Sequence, residues 1–383
     1  MTRLYIDLSH TAHTRARTGI QRVARALQTE LARDGNATPV TWDPYARIWR
    51  ELETWETANL ASLAPASKRG ARWPWTARLR GRLGLRRPTP LPAGQGLIEP
   101  ELFSPAVAAA LPRLATTGPR VALFHDALAL KLPEMTPANT IGRFPAYLQE
   151  LLTFDGVAAI SQDSRQTLLD YWRWLGIAQP PPVETIPLGL EVCSVLRYKP
   201  DAAAEPVVLC VGTIEGRKNH LVLLEACERL WARQLRFTLH LIGAVQPQTG
   251  QAAVRKIRAL QAAGRPLRFA GPATEAELEQ AYAACAFTVY PSLMEGFGLP
   301  VLESLARGKP CVCSDRGALG ESARGGGTMP VDPAKADAMT AAIEELLRQP
   351  AKLAQLAREA GQRRFRSWAD YAADLRRWMD TLR

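Results

Sequence analysis

The hydrophobic positions of this chain fall into short apolar runs separated by stretches of helical period, and the alternation continues from end to end. Arg3–Ser9 reads as a strand and Ile20–Arg33 as an amphipathic helix. Val121–Asp126 predicts a strand, Asn139–Thr153 a helix, Val157–Ser161 a strand with a helix through Leu175, and Val183–Gly189 another strand. Arg197–Pro206 is polar and Ala/Pro-bearing, as a linker would be. A second series follows: strand Val207–Gly212, helix His220–Arg233, strand Phe237–Gly243, helix Gln251–Ala263 and strand Leu267–Gly271. Thr274 and Glu277 have capping-box spacing ahead of a helix reaching Cys285. Then come strand Ala286–Tyr290, helix Pro300–Arg307 with Gly308 to end it, strand Cys311–Ser314, and helices Ala334–Gln349 and Ala351–Arg364. Strand and helix alternating through two series predict an α/β protein of two Rossmann-like domains with parallel sheets, over 1–197 and 206–365. Such sheets take ligands at the carboxyl ends of their strands, so a cleft between the domains is the expected site.

Composition narrows the classes. The 383 residues are 47% hydrophobic, a globular balance. No stretch approaches the ~18–20 consecutive apolar residues of a membrane helix. The N-terminus reads as a strand, because its apolar run is short and interrupted by Asp7, and not as a signal peptide. Cys193, Cys210, Cys227, Cys285, Cys311 and Cys313 form no CxxC pair, which suits free cysteines in a reducing cytoplasm. The five histidines show no zinc-ligand spacing, and His10 and His13 read as loop residues without a role.

The formal charge is +11, and most of it lies in one place. From Thr57 to Ile98 there is no acidic residue, while Lys68, Arg69, Arg72, Arg78, Arg80, Arg82, Arg86 and Arg87 alternate with Trp73 and Trp75. A basic, tryptophan-bearing insertion over about 57–98 suits an anionic membrane surface, with arginine on lipid phosphate and indole at headgroup depth. Nucleic acid and a merely solvated loop are its competitors.

The chemistry concentrates in two turns. Tyr290-Pro-Ser-Leu-Met-Glu295-Gly-Phe-Gly298-Leu-Pro300-Val-Leu-Glu303 runs strand, glycine turn, helix. Glycine lets backbone approach a ligand, Pro300 suits a helix start, and free amides at the positive helix end attract phosphate. Glu295 and Glu303 accept hydrogen bonds from hydroxyls. Val207-Val-Leu-Cys-Val-Gly212-Thr-Ile-Glu-Gly216-Arg217-Lys218-Asn219-His220 is a strand running into a loop with adjacent cations, a clamp for a diphosphate. Phosphate-binding and hydroxyl-binding groups together describe a sugar-nucleotide site. No G-x-G-x-x-G follows a strand and no P-loop occurs, which disfavours dehydrogenases and P-loop kinases.

From Val207 to Trp368 the chain resembles retaining glycosyltransferases of family 4, with the GT-B fold, and is similar in general to bacterial polysaccharide and O-antigen mannosyltransferases. The two turns above carry the resemblance, with Phe269-Ala-Gly271, Gly308-Lys-Pro-Cys-Val-Cys-Ser314-Asp315 and Phe365-Arg-Ser367-Trp368. The first half resembles the family more loosely, through Arg17-Thr18-Gly19-Ile20-Gln21-Arg22-Val23, Phe124-His125-Asp126, Ile160-Ser161 and Ile186-Pro-Leu-Gly189. The resemblance implies that Glu295 holds hydroxyls of the transferred sugar and Glu303 the nucleotide ribose. It implies that amides at Phe297, Gly298 and Leu299 face sugar and diphosphate, and that Arg217 and Lys218 stabilise the leaving diphosphate. Gly212 and Thr213 belong to the same donor loop, Gly19 would lie beneath the donor phosphates, and His125 at the sugar on the acceptor side. Residues 366–383 would form a helix packing back on the first domain. Thr213 stands where many members carry arginine, so the cationic charge falls to Arg217 and Lys218 or to an arginine across the cleft.

The implied activity is hexose transfer, with mannose from GDP-mannose favoured, to a glycan or lipid-linked glycan in cell-surface polysaccharide synthesis. It needs no metal, in keeping with the absence of an Asp-x-Asp pair, and no nucleic acid. The implied location is the cytoplasm, with peripheral contact at the inner face of the plasma membrane through Lys68–Arg87. Two other classes stay open: a nucleotide-sugar epimerase of the same architecture, and a non-catalytic nucleic-acid-binding protein.

Overall fold

The computed structural model describes residues 4–14, 19–33, 35, 37–61, 73–85, 91–191 and 205–382. Lys68, Arg69, Arg72, Arg86, Arg87, Arg17, Thr18, Cys193 and most of the linker lie outside the described residues. The chain divides into two compact units. One comprises Met1–Asp126, Gly142–Gly189 and Arg366–Arg383; the other comprises Ala127–Ile141 and Leu190–Phe365. The boundary expected at 197 lies outside the described residues, and residues 127–141 group with the second unit.

The first unit holds a seven-stranded sheet of β1 (Leu4–Asp7), β2 (Ala37–Asp43), β3 (Ile48–Glu51), β4 (Gly96–Glu99), β5 (Arg120–Phe124), β6 (Gly156–Ala159) and β7 (Val183–Thr185). Their order is β3-β2-β1-β4-β5-β6-β7. The expected parallel sheet needs one correction, because β3 pairs antiparallel with β2 through a short hairpin. The expected strand Val183–Gly189 stops at Thr185. The last helix, Trp368–Met379, begins with a capping box in which Ser367 and Asp370 each accept from the other's backbone amide. It packs in this unit: a side chain on Gly156 of β6 would meet Trp378 at 2.8 Å.

The second unit is a six-stranded sheet of β8 (Val207–Val211), β9 (Thr238–Ile242), β10 (Leu267–Phe269), β11 (Phe287–Tyr290), β12 (Cys311–Ser314) and β13 (Thr328–Val331). Every pairing is parallel, in the order β10-β9-β8-β11-β12-β13. Parallel strands covered by helices on both faces carry continuous apolar runs. Accordingly Val208, Leu239, Phe287 and Val312 lie in one core with Leu223, Leu230, Ile257 and Ile343 from the flanking helices. Cys210, Cys227, Cys285, Cys311 and Cys313 are free and buried. Among the described residues no helix is long and apolar enough to cross a membrane.

Candidate active site

The order of the second sheet reverses between β8 and β11, and doubly wound sheets bind ligands beyond the strand ends at such a reversal. The two turns singled out from sequence are the ones that leave these strands. After β8, the Ile214 amide bonds to Ala244 O (2.8 Å) and the Gly216 amide to Thr249 Oγ1 (3.2 Å), which fixes the loop against the one following β9. A 3-10 turn, Gly216–Lys218, then presents Arg217 and Lys218. Asn219 ends it at φ 51°, a left-handed conformation that asparagine tolerates, and its Nδ2 donates to Pro333 O at 2.5 Å. The loop after β11 is bound to this one: the Leu293 amide donates to Arg217 O at 2.9 Å.

Between the loops sits a compact charge cluster. Glu295 Oε2 lies 2.7 Å from Arg217 Nη1, and Glu295 Oε1 lies 2.5 Å from Lys218 Nζ. The other edge of Arg217 meets Glu215 at 2.8 Å. Lys218 also donates to the Tyr290 hydroxyl and lies 4.6 Å from the centre of its ring. Burial alone would raise the Glu295 carboxyl, but the Arg217 and Lys218 cations hold it down at about 2. Burial lowers the Lys218 ammonium despite Glu295, whereas Glu295 and Glu215 outweigh burial at Arg217 and raise it. Behind the cluster, His220 is buried and held neutral, lowered to about 3 by burial and by Lys218.

The helix Leu299–Ala306 starts at the end of the second loop, with Pro300 in its second position rather than its first. Gly298 caps it at φ 102°, and a Cβ there would meet Leu319 Cδ2 at 2.9 Å, so both conformation and space call for glycine. Phe297 O is fixed by the Ser322 hydroxyl at 2.6 Å. Amides at the start of this helix point along its positive end. Glu303 occupies a half-buried position one turn in. Gly212 and Thr213 are half-buried where the first loop leaves β8. The second unit thus brings Glu295, Arg217 and Lys218 into direct contact and places Gly212, Thr213, Phe297, Gly298, Leu299 and Glu303 on the same two loops and the helix.

His125 and Gly19 belong to the other unit. His125 follows β5 and is buried; its Nε2–H donates to Pro100 O at 2.8 Å, and burial lowers its pKa. Gly19 is the exposed first residue of the helix Gly19–Arg33 rather than a loop residue, with no atom within 4 Å of where a Cβ would stand. The reading that left His13 without a role is corrected. It is buried, with Nε2 2.7 Å from Glu56 and its ring against Trp55 and Trp73. Burial would raise Glu56, but His13 and Arg50 hold it at about 2. The pairing of Trp73 with Trp75 as membrane anchors is also corrected: Trp73 is 8% exposed and Trp75 73%.

Sequence reading missed an acidic trio in the first unit. Its sheet reverses order between β1 and β4, whose last residues are the buried Asp7 and Glu99. Burial, then the charge of Asp7, pushes Glu99 well up. Glu101 accepts the amides of His10 and Thr11, each at 2.9 Å, and burial raises it to about 8. Glu215 and Tyr290, also missed as site residues, stood inside the two motifs and were legible there.

Residues 205–349 match the family described as "Glycosyl transferases group 1". The chain carries a group 1 glycosyltransferase domain. Its two charged loops lie within that domain. The chain is 25% identical over 337 residues to the serotype-specific mannosyltransferase WbdA of Escherichia coli, covering 82% of this chain and 39% of WbdA. It is 29% identical over 240 residues to O-antigen chain mannosyltransferase B of Escherichia coli, covering 59% and 61%. The chain thus spans about two fifths of WbdA. The crystal structure of Anabaena Alr3699/HepE in complex with UDP and glucose superposes over 100% of both chains with a TM-score of 0.70 at 16% identity. The group 1 domain therefore sits in a GT-B fold built from two Rossmann-like units.

Proposed function

We propose that this protein is a retaining hexosyltransferase that moves mannose from GDP-mannose to a hydroxyl of a glycan or lipid-linked glycan in cell-surface polysaccharide synthesis, on the cytoplasmic side of the membrane. The observation that carries the reading is Glu295 bonded to both Arg217 and Lys218 at the reversal of the second sheet. The mannosyltransferase names of two relatives support the sugar, and the UDP and glucose of HepE support a nucleoside-diphosphate donor.

In this reading the donor diphosphate takes Arg217, Lys218 and the amides at Phe297, Gly298 and Leu299. Glu295 is released to the sugar hydroxyls, where it positions the ring rather than attacking it. Glu303 holds the ribose. The bond from the anomeric carbon to the diphosphate oxygen breaks, and the acceptor oxygen bonds to the same face of that carbon. The acceptor's proton passes to the departing phosphate. Negative charge grows on the leaving group, where fixed cations and amides stabilise it most. Those groups do the work that a metal ion does elsewhere, so the reading includes no metal.

A thermal-shift screen of GDP, UDP, ADP and TDP sugars, followed by a transfer assay on Lys218→Ala, tests this reading. It expects GDP-mannose to stabilise the protein most and Lys218→Ala to lose about 100-fold or more in transfer. Stabilisation by no sugar nucleotide, or normal turnover by the variant, overturns it.

A further inference from the structure

The helix Trp75–Arg82 turns its two small residues inward. Ala77 and Gly81, one turn apart, are its buried positions, and a side chain on Gly81 would meet Tyr45 Cβ at 2.8 Å. Just ahead of the helix Trp73 is clamped, with ring centres 4.4 Å from His13, 5.3 Å from Tyr45 and 5.5 Å from Trp55. The Arg50 guanidinium lies 5.6 Å over the same ring. One face of the helix is therefore fixed to the body of its unit.

At 3.6 residues per turn the opposite face carries Trp75, Leu79 and Leu83. They are 73%, 46% and 59% exposed, and Leu85 follows at 67%. Four of the seven large apolar side chains exposed among the described residues thus fall between positions 75 and 85. Arg78 flanks the stripe on one side and Arg80 on the other, while the Arg82 guanidinium lies 5.5 Å over the Tyr45 ring. The stretch from Thr57 to Ile98 itself holds no acidic residue, although Arg80 reaches Glu53 at 3.9 Å.

A surface helix held by one side ordinarily turns polar groups to water on the other. Here the outer side is indole and leucine with arginine along its flanks. Nucleic acid would engage the arginines but leave the leucines in water. A second copy would cover the leucines but oppose arginine to arginine. An anionic bilayer matches all of it: indole at headgroup depth, leucine at the acyl boundary and guanidinium on lipid phosphate.

We propose that the outer face of the helix Trp75–Arg82, continued by Leu83 and Leu85, rests on an anionic membrane surface. The proposal stands apart from the donor-site reading, because vesicle binding is measured without donor.

The test is flotation of the full chain with phosphatidylcholine vesicles, with and without phosphatidylglycerol. The protein should float with the phosphatidylglycerol vesicles and be released in about 0.5 M salt. The triple change Trp75→Ser, Leu79→Ser and Leu83→Ser should lower binding at least about tenfold. Arg78→Gln should lower it about fivefold. These side chains face outward, so melting temperatures should match the parent. Flotation indifferent to phosphatidylglycerol, or undiminished in the triple variant, overturns the proposal. So does a parent dimer that never floats and becomes a monomer in the triple variant. Capture of RNA but not of vesicles, lost in the same variants, equally overturns it.

Discussion

In a Glu295→Gln variant a nucleoside diphosphate lacking its sugar should bind more tightly than it does to the parent, while sugar transfer collapses. Glu295 contacts Arg217 at 2.7 Å and Lys218 at 2.5 Å, and its carboxyl is held at about 2 instead of the ordinary 4.5. That difference corresponds to about 3 kcal/mol in favour of the ionised carboxylate. A diphosphate seeks the same two cations and must displace the carboxylate to reach them. Glutamine keeps the size and hydrogen-bonding capacity but gives up the charge, so the competitor is weakened. The full effect would be about 100-fold. Water at the rim of the site screens part of it, and about 3- to 30-fold is the expectation. Titration calorimetry with GDP and UDP measures the first half of the prediction, and a transfer assay the second, where about 100-fold or more is lost. Lys218→Ala serves as the opposite control, because it removes a cation and should weaken both diphosphates. If Glu295→Gln weakens them as Lys218→Ala does, or leaves transfer intact, the exchange of partners is wrong. The pair also has a pH signature. A depressed carboxyl adds stability above its unfolded value near 4.5 and loses it as pH falls toward about 2. The melting-temperature advantage of the parent over the variant should fade across that window.

Three further outcomes follow from other parts of the molecule. Gly298→Ala forces a side chain into φ 102° and against Leu319, and should cost about 1–3 kcal/mol, read as a lowered melting temperature and reduced donor binding. Burial raises Glu101 to about 8, so the stability tied to its protonated form is present below about 4.5 and lost as pH rises toward 8. Glu101→Gln should flatten the stability slope across that range, as followed by chemical denaturation, and an unchanged slope refutes the assignment. Transfer should persist after dialysis against EDTA, because Arg217, Lys218 and the helix amides carry the leaving-group charge in the proposed mechanism; loss restored by a divalent cation contradicts this.

The second unit was largely legible because its strands announce themselves. β8 reads as an unbroken apolar run and β11 as one broken at Thr288, and the helix Glu275–Ala284 carries the capping box seen in the sequence. The first unit hid more. β2 contains Pro39 and two threonines, β4 is four residues long and ends in the buried Glu99, and β13 of the second unit contains Pro330; none has a strand's apolar signature. The site residues were legible in type but not in arrangement. Nothing in the spacing of Arg217, Lys218 and Glu295 says that the carboxylate lies on the cations, since that contact joins residues 77 and 78 positions apart, on two loops that meet at a sheet reversal. Trp73 and Trp75 likewise looked equivalent in a basic run. Only the packing of Ala77 and Gly81 against the body of the unit separates an inward ring from an outward one.

The central claim is that the loops after β8 and β11 grip a pyrophosphate with Arg217 and Lys218 and leave Glu295 to the sugar. A crystal structure of the protein with GDP-mannose tests it most directly. Phosphate oxygens should lie within hydrogen-bonding distance of Arg217, Lys218 and the amides of Gly298 and Leu299, with Glu295 turned to the hexose hydroxyls. A diphosphate bound elsewhere, with Glu295 still locked to both cations, would contradict it.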